Sequence, residues 1–510
     1  MARTKSSLTS AGSPGTDRLP LDSSAGMISA RLDRLPATAT IWKLVCLLSF
    51  GGFFEFYELF STASVVPGMV RSGILKQTTA SFFALDGIAG YVAATFTGLF
   101  IGTFVFGFIA DKLGRRTVFT YALLWYSASA VAMAFQTDAT GVNFWRLMTG
   151  IGLGVELVTI DAYLSELVPT RIRGRAFALN QVITYSAVPV VSFLSWQLVP
   201  LAPFGLDGWR WIMLIGATGA VAVWVIRLAL PESPRWLASH GEVERAARIV
   251  DDIERRVLIE HGAPLDVAIP IVASRERGRF SELWSRKYAT RTIMLLLFHA
   301  AQAIGLYGFS NWMPTFLMHQ GIALAASLEY SLVIACVMPL GPLIAMTFAD
   351  RIERKWQIVA AAILVGGAGL VFAQVREGGL IILCGSLVTI GATVMSLNFH
   401  AYQSELYPTR IRALAVGFVY SASRISGIFS GFLVSYALTQ SGVPGALALI
   451  SGCMGIVALS IGLLGPRTRG QTLEALALDG DTTEVPRSAY GLSGDVILAV
   501  STPTKNWSEP

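Results

Sequence analysis

Apolar residues occur along this chain in long, continuous runs, and polar residues gather in the segments between them. Each run is close to the ~20 residues that an α-helix needs to cross a bilayer. The runs are rich in Leu, Ala and Gly and lack the alternation of apolar and polar positions that a barrel strand shows. They predict an all-α membrane protein with twelve transmembrane helices, at 41–70, 91–110, 117–136, 143–165, 174–199, 209–230, 292–318, 327–349, 356–375, 378–401, 413–437 and 445–465.

Composition agrees with this interpretation. Hydrophobic residues make up 53% of the chain and charged residues 14%, against roughly 25% charged residues in an ordinary soluble protein. Because so much apolar surface must face the lipid bilayer, we expect a multi-pass protein of the plasma membrane, specifically a bacterial inner membrane. The small net charge of +6 does not indicate nucleic-acid binding.

The sequence gives no support for enzymatic or metal chemistry. Each of the four cysteines lies inside an apolar run, which argues against a disulfide framework and offers no metal-ligand spacing; they are Cys46, Cys336, Cys384 and Cys453. The sequence contains no phosphate loop, nucleophilic triad or metal box. We therefore expect no enzymatic activity, no cofactor and no metal.

Basic residues are concentrated in alternate loops. They follow the second, fourth, eighth and tenth helices, and they are Lys112, Arg115, Arg116, Arg171, Arg173, Arg175, Arg351, Arg354, Lys355, Arg410 and Arg412. By the positive-inside rule, both termini and the 231–290 loop are cytoplasmic. We expect disordered cytoplasmic tails at 1–40 and 469–510, and six-helix bundles at 41–230 and 291–468.

An internal repeat indicates two related halves. The segment AYLSELVPTRIR at 162–173 returns as AYQSELYPTRIR at 401–412, with ten of twelve positions identical and an offset of 239 residues. The same offset places Asp111 on Asp350 and Arg115 on Arg354. Two segments that share one offset indicate duplication of a six-helix unit. The expected architecture is two pseudo-symmetric bundles with the substrate site between them, near the bilayer midplane.

Three segments resemble one known family. GFIADKLGRR at 107–116 is similar to the loop between helices two and three of the major facilitator superfamily. Arg146, followed by a glycine at 150, 152 and 154, resembles its fourth-helix motif. PESPRWL at 231–237 is typical of its sugar-porter and metabolite-symporter branch. The resemblance spans about 41–470 and implies the major facilitator fold and secondary transport, although Met346 and Glu353 replace the loop glycines in the second half.

Several ionisable residues lie inside the predicted helices, where each costs on the order of 2.5–3.5 kcal/mol on insertion scales and is a functional candidate. They are Glu55 and Glu58 in helix one, Arg146, Glu156 and Asp161 in helix four, His299 in helix seven and Arg424 in helix eleven.

Glu55 and Glu58 are candidates for proton coupling. Three residues apart, they share a helix face about 4.5 Å apart along the axis, where double ionisation is disfavoured and one carboxyl can hold a proton. Alternatively, one acid merely solvates a cavity mouth. The resemblance places Glu58 where proton-linked sugar porters carry an acid that pairs with an arginine early in helix four, here Arg146. The alternative for Arg146 is a cation that snorkels from a helix end.

Arg424 and Glu156 are candidates for substrate binding. A buried guanidinium offers a forked donor that suits a carboxylate. The alternative is an internal pair, Glu156–Arg424 or Glu58–Arg424, that takes no ligand.

Helix seven argues against a hexose. Gln302 fits the sugar-porter pattern implied by the resemblance, but Ala301 and Tyr307 stand where that pattern has amides, and Val188 does so in helix five. A sugar site that loses these amides leaves hydroxyls unpaired at ~1–3 kcal/mol each. The segment at 307–317 instead resembles symporters of carboxylates, so we add Gln302, Tyr307, Asn311 and Trp312 to the candidate site. Interfacial packing is the alternative for Trp312.

Charged residues at the predicted cytoplasmic helix ends resemble the ion-pair cluster that latches the two halves together in the outward-open state. They are Asp111, Arg115, Arg116, Glu166, Arg171, Arg173, Asp350, Arg354, Glu405, Arg410 and Arg412. Such pairs form and break between two arrangements. Part of this charge also serves as the topology signal.

The sequence therefore predicts a monomeric transporter that moves a small organic anion, aromatic or otherwise a carboxylate, together with protons by alternating access. A sugar or polyol porter and a transporter-like nutrient sensor are the alternatives.

Overall fold

A computed structural model describes residues 21–77, 81–105, 112–269, 279–348 and 351–468. Within these ranges it is helical, and its one isolated β-bridge joins Lys76 to Gly87. The spanning helices are Ala39–Arg71 (one), Ile88–Val105 (two), Arg115–Ala134 (three), Ala139–Leu167 (four), Arg173–Tyr185 with Ala187–Leu198 (five), Gly208–Ala217 with Gly219–Ala229 (six), Ala289–Ser310 (seven), Leu324–Ala335 with Leu340–Phe348 (eight), Arg354–Phe372 (nine), Gly378–Glu405 (ten) and Thr409–Leu459 (eleven and twelve). The prediction of an all-α membrane protein is confirmed.

A backbone break at Gly442 separates helices eleven and twelve. Gly442 has φ 63° and ψ −163°, a conformation that only glycine adopts without steric cost. Pro444 follows and lacks the N–H that would continue the helix. Helix eleven therefore covers 409–441, and helix twelve covers 443–459 and ends in the π-helical turn Ser460–Leu464.

Helix seven is shorter than the predicted run of 292–318. It ends at Ser310, and a separate helix, Met313–His319, begins with Pro314 in its first turn. Proline is accepted there because the first N–H groups of a helix have no internal partner. The apolar run is continuous, but the helix is interrupted between Ser310 and Met313.

Glycines allow helix four to approach helix two closely. A Cβ added at Gly98 would stand 2.3 Å from the carbonyl oxygen of Leu147, and one at Gly154 would stand 2.4 Å from that of Leu99. Larger residues at these positions would force the two backbones apart. The glycine run after Arg146 therefore serves packing between membrane helices.

The two halves repeat the same local bonding. Arg115 pairs with Glu166 at 3.0 Å, and Arg354, 239 residues later, pairs with Glu405 at 3.1 Å. Tyr163 donates a hydrogen bond to the Pro231 carbonyl. Its counterpart Tyr402 donates one to the carbonyl of Pro466 at 2.8 Å. These repeated contacts lie at the face where the basic loops gather, which we name the basic face.

The halves meet through helices two and eleven near the other face, which we name the opposite face. A Cβ at Gly427 would stand 2.4 Å from the ring of Phe96, and one at Gly431 would stand 3.0 Å from Val92. Phe432 packs against Ala89 and Ala93. Rings of Phe82 and Phe83 lie 5.9 and 5.4 Å from that of Phe432. Apolar contacts thus close the protein at the opposite face.

The prediction of disorder through residue 40 is wrong for residues 21–40. Leu21–Asp33 forms a helix that packs on two helices of the 231–290 loop, Pro234–Ser239 and Val243–His261. Ile28, Leu32 and Leu35 are buried in this contact. Two buried apolar positions in the helix, Ile28 and Leu32, and one just after it, Leu35, are a weak signal in a polar segment, which explains the error. Residues 1–20 and 469–510 lie outside the described ranges.

Ion pairs hold the N-terminal helix in place. Arg31 contacts Asp251 and Glu254, each at 2.5 Å, and Arg34 contacts Glu254 at 2.6 Å. Partial burial raises the pKa of Glu254, but hydrogen bonds from the two arginines and their charges outweigh it and leave the pKa below its ordinary value. Glu254 therefore stabilises the docked helix at pH values above the ordinary pKa of a glutamate. This contribution is lost as the pH falls through the lowered pKa of Glu254.

Glu254→Gln should release the N-terminal helix, because the ion pairs with Arg31 and Arg34 are replaced by weaker hydrogen bonds to an uncharged amide. We expect backbone hydrogen exchange in 21–33 to be about tenfold faster at pH 7, and less dependent on acidification than in wild type once intrinsic rates are corrected. Mass spectrometry of the exchanged protein measures this. Glu244→Gln, an exposed change on the same loop helix, is the control, and equal protection in both variants would contradict the docking role of Glu254.

Candidate functional site

A cavity of about 100 Å³ lies between the two halves, midway along the helices. Helices one, four and five line it on one side and helices seven, ten and eleven on the other, as the pseudo-symmetry requires. Its polar lining residues are Glu55, Asp161, Asn180, Gln181, Thr184, Tyr185, Gln302, Tyr307, Ser396, His400, Tyr420 and Ser423. Tyr185 and Ser396 connect the halves through hydroxyl oxygens 3.3 Å apart.

Glu58 and Arg146 form a buried ion pair beside this cavity. Nη1 of Arg146 donates to Oε1 of Glu58 at 2.6 Å, and Nη2 donates to the Glu58 carbonyl at 3.0 Å. Thr62 and Thr95 accept further bonds at 2.6 and 2.9 Å, and the Tyr91 ring centroid lies 5.0 Å from the guanidinium carbon. Both charged side chains are almost completely buried. Arg146 is therefore not a snorkelling cation, because its donors point into the bundle.

Glu55 and Asp161 bring acidic groups to the cavity. Glu55 is 2% exposed, and its Oε1 is buried without a hydrogen-bond partner. Asp161 lines the same cavity from the half of helix four that is nearer the basic face, 6 residues before the helix ends at Leu167.

Arg424 lies behind the cavity wall on helix eleven. It is 2% exposed, its Nε is buried without a partner, and the Tyr420 ring centroid lies 4.9 Å from its guanidinium carbon. Tyr307 lies beside it, and the charges of Glu55 and Arg424 influence each other. No carboxylate of the described residues approaches Arg424 within the 4.0 Å of an ion pair. A permanent cation thus borders the cavity with its charge only partly compensated.

Glu156 does not line the cavity. It is fully buried, and an oxygen of its carboxyl group lies 3.6 Å from where a Cβ at Gly51 would stand. Tyr126 of helix three is also close to it. The side chain therefore points into the first half, where the missing side chain of Gly51 leaves room. The internal pairs Glu156–Arg424 and Glu58–Arg424, which were the alternative to a ligand, are not found among the described residues, because Glu156 faces away and Glu58 is bound to Arg146.

The four candidates near the end of helix seven separate into two groups. Gln302 and Tyr307 line the cavity, and Tyr307 packs edge-on against Phe96 at 4.6 Å. Asn311 and Trp312 are buried beyond the end of helix seven and are not among the cavity residues. Trp312 instead stacks on Phe316. One helical turn thus separates Tyr307 from candidates that lie outside this site.

Sequence reasoning missed the polar side chains from helix five. Asn180 and Gln181 line the cavity, and each has a buried side-chain oxygen with no hydrogen-bond partner. Both are amides inside a predicted span, and a list of charged residues does not include them.

His299, the candidate in helix seven, is fully buried in the second half, where its Nε2 lies 2.9 Å from Oε1 of Gln403.

The gate candidates lie at the basic face, and their described ion pairs stay within one half, as Arg115–Glu166 and Arg354–Glu405. The backbone N–H groups of Arg115 and Arg116 donate to Glu232 of the PESPRWL segment at 2.8 and 3.1 Å. Arg171 is exposed.

Two further gate arginines bond locally. Arg173 donates to Thr170 at 3.4 Å, and Arg412 donates to the Tyr407 carbonyl at 3.2 Å. Asp111, Asp350 and the Arg410 side chain lie outside the described part. A latch between the halves therefore stays a prediction.

The described residues contain no group of three or more His, Cys, Asp or Glu that could hold a metal ion. Acids, arginine, amides and aromatic hydroxyls around a central cavity are groups that bind and release a small polar solute.

The family model described as "Sugar (and other) transporter" matches residues 44–479. The chain belongs to this family. It is therefore a secondary transporter of the major facilitator superfamily, in the sugar-porter branch, and not an enzyme.

Several transport proteins are similar in sequence to this chain over almost their full length. The putative metabolite transport protein YyaJ of Bacillus subtilis is 29% identical over 445 residues, which cover 87% of this chain and 96% of the relative. The putative metabolite transport protein YdjK of Escherichia coli is 30% identical over 464 residues, covering 88% and 97%. The niacin transporter NiaP of Acinetobacter baylyi is 28% identical over 459 residues, covering 88% and 99%.

The fold is also that of a solved family structure. The xylose transporter XylE from Escherichia coli, in a partially occluded inward-open conformation, superposes with a TM-score of 0.69 at 19% identity. The match covers 85% of this chain and all of the XylE chain. This protein thus shares the fold of XylE over the full length of that structure.

The Glu58–Arg146 pair leads to a prediction about stability. Glu58→Leu should destabilise the protein by about 3–5 kcal/mol, because Arg146 cannot lose its charge and is left buried without its carboxylate. Arg146→Leu should cost less, about 1–3 kcal/mol, because the remaining glutamate can take up a proton and become neutral. Thermal unfolding of the purified variants in detergent compares the two.

Thr62→Val, which removes one hydrogen bond to Arg146, is the matched control and should cost about 1 kcal/mol. An Arg146→Leu variant that unfolds at a lower temperature than Glu58→Leu would contradict this account of the pair.

Proposed function

We propose that this transporter is a proton-coupled symporter of a small organic anion, with the carboxylate of the substrate held by Arg424. The cavity between the halves is the binding site, and Glu55 and Glu58 are the proton-binding groups. Both termini and the basic face are cytoplasmic, in keeping with the positive-inside rule. The two bundles, 41–230 and 291–468, move against each other about this site.

Arg424 is the observation that carries the proposal. Arginine keeps its charge inside a protein, so a guanidinium in the membrane interior requires a partner. Tyr420 and Tyr307 provide only aromatic and hydroxyl contacts, and the Nε donor has no partner. A substrate carboxylate that enters from the cavity supplies both the missing acceptors and the missing charge.

Glu55 makes anion binding depend on a proton. Glu55 lies on the opposite half, within electrostatic range of Arg424. An anionic substrate beside Arg424 stands close to Glu55, and two like charges in a site of low polarity repel each other strongly. A proton on Glu55 removes that repulsion. Anion and proton therefore bind together, and the pair adds no net charge to the site.

Glu58 extends the same coupling into the first half. It follows Glu55 by one helical turn on helix one and is bound to Arg146 of helix four. A proton that passes from Glu55 to Glu58 weakens this ion pair, and helices one and four then have a second packing arrangement available. Ion pairs that form and break supply the two states that alternating access requires.

The lining and the relatives favour an aromatic carboxylate. Tyr307, Tyr420 and Tyr185 line a cavity of about 100 Å³ together with Phe56 and Phe399. This space suits a single ring, whereas the pocket for a drug-sized ligand usually has a volume of about 300–1,000 Å³. The relative named as a niacin transporter carries a pyridine carboxylate, which has the ring and the anionic group that this site accommodates.

A sugar or polyol is the second candidate substrate. Asn180, Gln181 and Gln302 bring three amides to the cavity, and two of them have an unpaired oxygen. Amides satisfy hydroxyl groups by donating and accepting. The family name includes sugars, so the two substrate classes must be compared in one experiment.

Arg424→Lys should weaken binding of the carboxylate substrate about tenfold, because the charge remains but the planar fork is lost. Arg424→Gln, which also removes the charge, should weaken binding about a hundredfold. Ligand-induced thermal stabilisation of the purified protein measures both. The ligand panel contains nicotinate, benzoate and short aliphatic carboxylates, with xylose and myo-inositol as the second class.

Arg376→Gln, which changes a loop arginine that donates to the Gln320 carbonyl, serves as the control for loss of one positive charge. Stabilisation by xylose or inositol alone would establish the second candidate. Carboxylate binding of unchanged affinity in Arg424→Gln would show that Arg424 is structural and would remove the main support for an anionic substrate.

Glu58→Gln should abolish accumulation driven by a proton gradient while counterflow exchange continues, because exchange moves no net proton. Glu55→Gln should have the same effect on accumulation, and it should also make anion affinity independent of pH, since an amide cannot become charged beside the substrate. Wild-type affinity should fall as pH rises. Uptake and exchange in proteoliposomes separate these steps.

Asn143→Asp is the control that places a carboxyl group on the half of helix four away from the cavity, where its amide donates to the Leu85 carbonyl. Gradient-driven accumulation at wild-type level in both glutamine variants would contradict proton coupling through helix one. If the anion affinity of the wild type did not change with pH, Glu55 would not be the group that makes binding depend on a proton.

A further inference from the structure

Two adjoining cavities form a groove on the outer surface of the first half, at the level of the basic face. Their volumes are about 470 and 240 Å³, and they share Thr40, Leu44, Ala229 and Arg256. The groove lies between the start of helix one, the end of helix six and the loop helix Val243–His261. It is separate from the central cavity, with which it shares no lining residue.

The groove has apolar walls at membrane level. Leu44 and Leu47 of helix one, together with Ala229 and Ile259, line its larger part. Helix one contains 33 residues and is about 50 Å long, whereas the hydrocarbon core of a bilayer is about 30 Å thick. Its first turns therefore stand among lipid headgroups. Deeper in the bilayer, Phe50 of helix one and Val225 of helix six are 42% and 63% exposed on the same side.

The charges around the groove leave an excess of unpaired cations. Lys43 and Arg256 line it and have no ion-pair or hydrogen-bond partner among the described residues. Its two acids are both engaged: Glu260 accepts from the Thr40 backbone N–H and hydroxyl at 2.9 and 2.6 Å, and Asp252 pairs with Arg255 at 3.2 Å. Glu260 keeps its negative charge, because its partners are neutral groups. The lining of the two cavities, which includes Arg116, therefore carries three cations and two acids, an excess of one positive charge.

We propose that this groove binds an anionic phospholipid, with its phosphate held by Lys43 and Arg256 and an acyl chain lying along Leu47 and Phe50. Basic pockets beside membrane helices bind anionic headgroups, and each nearby Lys or Arg contributes about 1 kcal/mol. The apolar wall continues from the cations into the hydrocarbon region, which is the shape of a lipid and not of a free anion. Ile259, 79% exposed on the loop helix, covers the headgroup from the aqueous side.

The proposed lipid site borders the 231–290 loop, which connects the two halves. The groove contacts helix one, which carries Glu55 and Glu58, and the loop helix, which holds the N-terminal helix through Glu254. A bound lipid therefore joins helix one to the loop helix at the basic face. The two elements gain stability together when the lipid is present.

The experiment uses the full-length protein, purified in detergent and depleted of lipid. Dioleoyl phosphatidylglycerol should raise its melting temperature and remain bound in native mass spectrometry, and dioleoyl phosphatidylcholine should do so at least about fivefold more weakly. The double variant K43Q/R256Q should lose this preference. Arg255→Gln, one position along the same helix but directed at Asp252, should keep it. All three substituted side chains are exposed, so the variants should fold.

Two further arms identify the occupant. Inorganic phosphate and glycerol 1-phosphate at the same concentrations should give no stabilisation, because they do not fill the apolar wall. Leu47→Ser, which makes that wall polar, should weaken phosphatidylglycerol binding although Lys43 and Arg256 are intact. Equal binding of the two lipids, unchanged preference in K43Q/R256Q, or full stabilisation by phosphate alone would each overturn the proposal.

Discussion

Every charge inside the membrane needs a partner, and the Arg146–Glu58 pair shows how much of the fold serves that requirement. Arg146 reaches helix one through Glu58 and Thr62 and helix two through Thr95 and Tyr91. These contacts require helices two and four to lie close together. The glycines at 98, 150 and 154 permit that approach. The glycine run thus brings helices two and four close enough for Arg146 to reach Thr95 and Tyr91.

The second half does not repeat this arrangement. The offset of 239 that relates Arg115 to Arg354 places Gly385 at the position of Arg146. Among the described residues of the second half, the buried arginine is Arg424, on helix eleven, and its environment is aromatic instead of acidic. One half thus holds its buried cation in a closed set of hydrogen bonds, and the other leaves its cation beside the cavity. This asymmetry separates a group that organises the helices from a group that is available to a solute.

The sequence predicted the number and order of the helices because long apolar runs have few other structural outcomes. The Glu58–Arg146 contact followed from the family resemblance, and the structure shows it directly. The direction of Glu156 did not follow, because a side chain moves by about 100° around a helix with each residue and helix rotation depends on neighbours. Only the space beside Gly51 explains it. The N-terminal helix was also missed, since ion pairs to distant residues hold it and few of its own residues are apolar.

The contact between helices two and eleven consists of glycines facing Phe96 and Val92, with rings around Phe432. Surfaces of this kind adhere through many weak dispersion contacts, each of which loses roughly a quarter to a half of its energy when the gap widens by about 0.5–1 Å. Opening the opposite face therefore breaks no strong directional bond at these positions, and the exposed surfaces are apolar and smooth. When the two helices separate on this side, water must therefore enter a narrow apolar seam, which the hydrophobic effect opposes.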